Sequence, residues 1–128
     1  MISEDRLRDA IGQLAAVPAV EFDPVSLAED VLLLGHAYEQ EAAFVQAVAS
    51  VCRALRQIAS NQVTSARLKY SFAGYDSYHF QSKREQGASA DLRIVYQQAG
   101  DVVRVLGFGN RKIPSDIYER LASTRIEG

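Results

Sequence analysis

Metal-ligating residues and thiols are scarce in this 128-residue sequence. Its only cysteine, Cys52, excludes an internal disulfide and a zinc site built from cysteines. Cys52 falls within the apolar stripe of a predicted helix, which favours a buried, inert thiol over a nucleophile. The two histidines, His36 and His79, have no metal-ligand spacing to acidic residues. We therefore expect neither a metal ion nor another cofactor.

Long apolar segments are also absent. The longest apolar runs, such as Leu14–Val17 and Val31–Leu34, contain four residues, whereas a bilayer span requires about 18. The first residues lack the basic and apolar regions of a secretory signal. We therefore expect a cytoplasmic protein that does not contact a membrane.

The composition is that of one ordinary globular domain. Hydrophobic residues make up 48% and charged residues 23%, which excludes a disordered acidic or basic chain. The net charge of −2 argues against strong non-specific binding of nucleic acid by the whole molecule. Charge is unevenly divided, however, because residues 1–66 have a net charge of −5 and residues 67–128 one of +3. The second half is therefore the candidate for an anion-facing surface, although a difference of this size also arises by chance.

The first half of the chain predicts three helices. The first covers about residues 4–16, is capped by Ser3 and ends before Pro18. Its single apolar stripe is compatible with packing on its own domain or on a partner, including a second copy. Asp23 and Pro24 then begin a helical hairpin. Its link is predicted at Gly35, and its second helix at about residues 38–59.

The second half predicts strands, because its apolar residues alternate. The extended segments are residues 19–22 as a short edge strand, then 68–72, 78–83, 90–98 and 102–108. Gly107 and Gly109 are predicted to end the last strand, and Pro114–Asp116 to begin a short helix. The predicted fold class is α+β, with N-terminal helices packed on one face of a small antiparallel sheet and a short C-terminal helix.

Basic side chains on and beside these strands are the candidate functional residues. If the helices cover the face of Leu92 and Ile94, Arg93 points to the open face of the sheet. Several cations over a sheet face make an anion site, since arginine matches phosphate oxygens bidentately and a tyrosine can stack on a base. The candidates are Lys69, His79, Lys83, Arg84, Arg93, Arg104, Arg111, Lys112 and Tyr118.

Each candidate also has a purely structural explanation. Arg93 and Arg104 could be surface residues paired with Asp91 or Asp101. The remaining explanations are a solvated loop for Lys83 and Arg84, a hydrogen-bonded structural role for His79 and a core position for Tyr118.

One stretch of the second half resembles a known family. Residues 90–96, the hairpin, residues 103–111 and Tyr118 are similar to the C-terminal half of the RelE/ParE toxin superfamily. That family has an R-[LI]-V-Y strand, as in Arg93–Tyr96, then a hairpin and a strand that ends in a glycine, an arginine and a nearby tyrosine. The resemblance covers about residues 19–122. It implies one RelE-like domain over residues 1–128, with residues 1–18 as an additional helix and 19–128 as the toxin-like core.

For RelE-type members the resemblance implies a cytoplasmic, metal-independent endoribonuclease that cuts ribosome-bound mRNA and is neutralised by a cognate antitoxin. The 2′-hydroxyl would attack the adjacent phosphate. By position, Arg93 and Arg111 would bind the scissile phosphate, and Tyr118 would orient the substrate or stack on it. Lys83 would join this catalytic set from the basic segment before the R-[LI]-V-Y strand. The substrate-binding set would be Lys69, His79, Arg84, Arg104 and Lys112.

Two other functions remain open at this point. ParE-type members share the scaffold but inhibit DNA gyrase, and an inactive member would serve as an interaction domain, for example a homodimer formed through the N-terminal helix. Similarity of fold does not choose among these activities.

Overall fold

A computed structural model describes residues 1–126. These residues form four α-helices and five strands, in the order α1 (Glu4–Ala15), β1 (Val20–Phe22), α2 (Pro24–Ala37), α3 (Glu41–Ala59), β2 (Ala66–Arg67), β3 (Asp76–Phe80), β4 (Leu92–Ala99), β5 (Val102–Asn110) and α4 (Ile117–Arg125). A single 3-10 turn, Tyr70–Phe72, separates β2 from β3. Within residues 1–126, no helix has the length and apolar character that crossing a membrane requires. The predicted α+β class is confirmed.

Three of the four predicted helix starts are confirmed, and the fourth, α3, begins at Glu41 instead of about residue 38. Ser3 and Asp23 accept hydrogen bonds from backbone N–H groups at the start of α1 and α2, and Pro24 is the first residue of α2. Asp116 accepts from the N–H groups of Tyr118 and its neighbour at the start of α4. These side chains satisfy N–H groups that lack partners in a helix's first turn, so each start is encoded within a few residues.

The helical hairpin turns later than predicted. Helix α2 continues through Gly35 to Ala37, and the link is residues 38–40. Gly35 instead lies against the first helix, since a β-carbon there would lie 3.4 Å from Cδ2 of Leu7 and 3.5 Å from Ile2. The glycine is therefore a packing position, which a sequence pattern does not distinguish from a helix end.

The sheet is mixed and not antiparallel as predicted. Its strand order is β1-β5-β4-β3-β2. The hairpin of β4 and β5 and the pairs β3–β4 and β2–β3 are antiparallel, but β1 pairs with β5 in parallel, with Val20 opposite Val103. In the sequence, the α2–α3 hairpin separates β1 from the other strands. This long connection allows β1 and β5 to run in the same direction.

The predicted strand at residues 68–72 is wrong. The strand ends at Arg67, and a 3-10 turn brings Leu68 and Phe72 against the small apolar cluster under α4. Tyr70, at the tip of this turn, is 93% exposed and has a φ of 57°. The alternating apolar residues that suggested a strand therefore surround a turn.

The two faces of the sheet are covered by different helices. Leu92, Ile94 and Tyr96 face the main core, which helices α1–α3 complete. Val95 lies on the opposite face and packs with Ile117 and Leu121 of α4. The short C-terminal helix thus lies on the face that the sequence left open.

Helix α4 approaches the sheet closely at Gly107. A β-carbon at this position would clash with the side chains of Leu121 and Arg125. The prediction that glycines end β5 is therefore wrong: the strand continues to Asn110, and Gly107 makes room for a helix.

An ion-pair network holds α4 in place. Strand β1 stops opposite Val105, and beyond it the N–H of Phe108 donates to the buried carboxylate of Asp30 at 3.2 Å. Arg120 and Arg125 of α4 each donate to Asp30 and also to carbonyls of β5. The network provides hydrogen-bond partners for backbone groups of β5 beyond the end of β1, and it fixes the position of α4.

Candidate functional site

The β3–α4 cluster, consisting of Ser77, His79, Arg93 and Tyr118, lies on the α4 face of the sheet. Alternation along β3 places Ser77 and His79 on this face, and His79 is the cross-strand partner of Arg93. Helix α4 adds Tyr118, whose hydroxyl lies 2.8 Å from Oγ of Ser77 and 3.2 Å from Nε2 of His79. The fold therefore brings together three of the predicted site residues, from two strands and a helix.

Arg93 is buried, with 9% of its surface exposed. Its Nη1 donates to the carbonyls of Ala90 at 2.8 Å and Leu92 at 3.0 Å. Among residues 1–126 it has no carboxylate partner, and its Nε–H makes no hydrogen bond with them. A buried cation without a counter-charge is costly. Such a group is therefore suited to bind an anionic ligand.

The sequence allowed a surface role for Arg93 and Arg104, paired with acidic residues. Arg104 is indeed exposed, but its partner is Glu21 on the neighbouring strand, at 3.3 Å. Asp91 instead accepts hydrogen bonds from the hydroxyls of Tyr38 and Ser82. Neither Glu21 nor Asp91 therefore forms an ion pair with Arg93.

His79 is suited to accept a proton. Partial burial, followed by the charge of Arg93, lowers its pKa below the usual 6.5. The imidazole is therefore predominantly neutral at pH 7, and Tyr118 occupies one of its nitrogens. A neutral, solvent-accessible imidazole beside a cation is an appropriate arrangement for a general base.

Two contacts hold the ring of Tyr118. Phe72 packs edge-to-face against it, with ring centroids 6.1 Å apart, and Ser77, which is 1% exposed, bonds its hydroxyl. The structural explanation for Tyr118 is thus partly correct, because its ring lies beside the apolar cluster of α4. Its hydroxyl nevertheless contacts the imidazole, which a core role does not require.

Arg111 and Lys112 follow β5 at the same end of the sheet as Arg93. The backbone N–H of Arg111 donates to the carbonyl of Asp91, and its own carbonyl accepts from Ile117. Lys112 is exposed in the turn, where its N–H donates to Asn110. Neither side chain forms an ion pair with another described residue. The backbone of both residues thus lies beyond the end of β5 that pairs with Arg93, and no described carboxylate neutralises either charge.

The other predicted residues lie elsewhere. Lys83 is exposed in the loop after β3, at the same end of the sheet. Arg84, from the same loop, lines a groove against α3 on the opposite face. Lys69 precedes the 3-10 turn and is exposed, and Arg104 lies toward the hairpin end of β5. The fold therefore does not bring Arg84 and Arg104 to the β3–α4 cluster.

Sequence reasoning missed two residues of this region. Ser77 shares the strand face of His79, so alternation along β3 was the available signal. Asp30 lies in α2, where the neighbouring sequence does not distinguish an exposed aspartate from one that forms ion pairs with two arginines.

Within residues 1–126, neither the cysteine nor a group of metal-ligating residues provides a second reactive centre. Cys52 is 5% exposed, and burial raises the pKa of its thiol, as expected for an unreactive cysteine. In the described part of the chain, no three His, Cys, Asp or Glu residues are grouped to hold a metal ion.

The chain matches no protein-family model, no curated protein and no solved structure.

Proposed function

We propose that this protein is a RelE-like toxin, a metal-independent endoribonuclease that cleaves ribosome-bound mRNA and is neutralised by a cognate antitoxin. The observation that carries the proposal is the buried guanidinium of Arg93, which has no carboxylate partner within residues 1–126 and lies on β4 directly opposite His79 of β3. The resemblance of residues 90–118 to RelE-type sequences supports the same chemistry.

The β3–α4 cluster and Arg111 supply the general base and the phosphate-binding charges of the proposed reaction, and water supplies the proton for the leaving group. His79 takes the proton of the 2′-hydroxyl, whose oxygen attacks the adjacent phosphorus. The bond from phosphorus to the 5′-oxygen breaks, and that oxygen takes a proton from water. The products are a 2′,3′-cyclic phosphate and a 5′-hydroxyl. Arg93 and Arg111 stabilise the charge that develops on the phosphate, and Tyr118 orients the imidazole through its hydrogen bond.

The test is cleavage of mRNA in a reconstituted translation reaction, mapped by primer extension. We expect new 5′ ends within translated codons. Naked RNA should remain intact, both with and without EDTA. The variants His79→Gln and Arg111→Ala should abolish cleavage. Arg104→Ala is the matched control, because Arg104 is paired with Glu21 at the other end of the strand.

Folding of each variant is verified by circular dichroism and thermal unfolding, since Arg93 itself is buried and its substitution could unfold the chain. Intact mRNA in the presence of folded wild-type protein would overturn the proposal. Growth arrest with intact mRNA would then direct attention to gyrase inhibition, and the absence of both effects to an interaction domain.

A further inference from the structure

A polar groove lies on the sheet face opposite the β3–α4 cluster. It runs between the C-terminal half of α3 and β3 and has a volume of about 570 Å³. We call it the α3–β3 groove; it is lined chiefly by Arg53, Gln57, Tyr78, Phe80, Gln81 and Arg84. None of its lining residues is acidic.

The charge of this groove is uncompensated. Arg53 and Arg84 are exposed, and neither forms an ion pair with a carboxylate of residues 1–126. Within residues 1–126, the exposed arginines Arg6, Arg8 and Arg104 do have such partners, whereas Arg56 and Arg67 do not. The chain is acidic overall, so two unpaired guanidiniums at one groove indicate a site for anionic groups.

The groove also offers an aromatic surface. The rings of Tyr78 and Phe80 lie 5.5 Å apart and nearly parallel, with an interplanar angle of 12°. The side-chain amide of Gln57 makes no hydrogen bond with the described residues and can pair with a base edge. Phosphate-binding cations beside an aromatic platform are the combination that binds single-stranded nucleic acid. An acidic peptide would use the arginines but not the platform.

The groove is connected to the β3–α4 cluster by an open strand edge. Strand β2 pairs with Asp76 and Ser77, and no described strand lies beside the outer edge of residues 78–80. At this edge His79 projects toward the α4 face, whereas Tyr78 and Phe80 project toward α3. A single strand that crosses the edge can therefore contact both faces.

We propose that the α3–β3 groove binds single-stranded RNA, with a base stacked on Tyr78 and phosphates bound by Arg53 and Arg84. The proposal rests on the proposed ribonuclease function, because it takes the bound RNA to be the strand presented to His79. It assigns Arg84 to substrate binding at a surface separate from the β3–α4 cluster.

The test is binding of a fluorescein-labelled, single-stranded 2′-O-methyl RNA by the full chain, followed by fluorescence anisotropy at several salt concentrations. The methyl group removes the attacking hydroxyl, so binding is measured without cleavage. The double variant Arg53→Glu/Arg84→Glu should raise Kd at least ten-fold. The number of counterions released on binding, measured from the salt dependence of Kd, should fall by about two. Tyr78→Ala should raise Kd about ten-fold, and a duplex of the same sequence should compete poorly.

Arg6→Glu/Arg8→Glu is the charge-matched control, because Arg6 and Arg8 are exposed arginines of α1 that are paired with Glu41 and Glu4. This variant should bind RNA as the wild type does. Wild-type affinity of the groove double variant would overturn the proposal. It would also be overturned if Tyr78→Ala had no effect and polyglutamate competed as well as RNA, because the groove would then recognise charge alone.

Cleavage assays separate this proposal from the function on which it rests. If the groove variants bind and cleave as the wild type does while His79→Gln abolishes cleavage, the groove proposal fails alone. If RNA binding depends on the groove but translated mRNA stays intact, the ribonuclease proposal fails and the groove remains a binding site.

Discussion

Asp30 on α2 and Arg120 on α4 are 90 positions apart in the sequence and form an ion pair at 2.8 Å. Arg125, five residues further along α4, donates to both oxygens of the same carboxylate. The side chains of the three residues are almost completely buried, at 2%, 9% and 7% exposure. This network joins the first half of the chain to the last helix, and that helix carries Tyr118 to His79.

Replacing Asp30 with asparagine should destabilise the protein by about 3 kcal/mol, because two buried guanidiniums lose their counter-charge. The free energy of unfolding in urea measures this effect. Arg104→Gln breaks an exposed ion pair with Glu21 and should cost less than about 1 kcal/mol. Equal effects of the two variants would show that the buried network contributes no more than a surface pair.

Gly107→Ala should lift α4 from the sheet, because the new methyl group meets Leu121 and Arg125. We expect a loss of about 1–3 kcal/mol in the free energy of unfolding. Gly12→Ala is the opposite case: Gly12 lies in the exposed interior of α1 with nothing within 4 Å of the added carbon, so this variant should be stabilised by about 0.5–1 kcal/mol. If Gly107→Ala is as stable as the wild type, α4 does not pack as described.

His79 should titrate below pH 6.5, which the chemical shift of its ring protons measures; His36→Gln assigns the signal. The direction follows from partial burial and from the charge of Arg93. At pH values between the pKa of His79 in the folded protein and about 6.5, His79 is protonated in the unfolded chain but neutral in the folded protein. The contribution of His79 to stability therefore rises with pH across that interval, is complete above it and is lost as the pH falls.

The same titration should appear in the proposed reaction. Cleavage should decline as the pH falls through the pKa of His79, because the protonated ring cannot accept the proton of the 2′-hydroxyl. A titration of His79 at or above pH 6.5 would contradict the described environment. A cleavage rate that does not follow the His79 titration would exclude the imidazole as the base.

Tyr118→Phe removes the hydroxyl that contacts both Ser77 and His79. We expect the rate constant of cleavage to fall roughly 10- to 100-fold, because the imidazole loses its orientation. The free energy of unfolding should fall by about 1–3 kcal/mol, since Ser77 is left buried without this partner. Tyr70→Phe changes a tyrosine that is 93% exposed and should leave both quantities unchanged. A Tyr118→Phe variant with the wild-type cleavage rate would restrict Tyr118 to a structural role.

The helices could be predicted from the sequence because their signals are local. Ser3, Asp23 and Asp116 each bond to a backbone N–H no more than three residues away. The hairpin of β4 and β5 depends on a two-residue connection, in which Gly100 adopts a φ of 63°. Such contacts act within one turn, so the residues that make them are adjacent in the sequence.

The candidate site could be predicted only in part. Arg93, His79 and Tyr118 were candidates from residue type and resemblance, and alternation placed Arg93 on the face away from helices α1–α3. The packing of α4 on that face, the burial of Arg93 and the parallel pairing of β1 depended on the tertiary structure. The hydroxyl of Tyr118 meets residues 39 and 41 positions away. Local periodicity determines which face of an element is apolar, but only the packing of distant elements decides which polar groups meet and which charge is left without a partner.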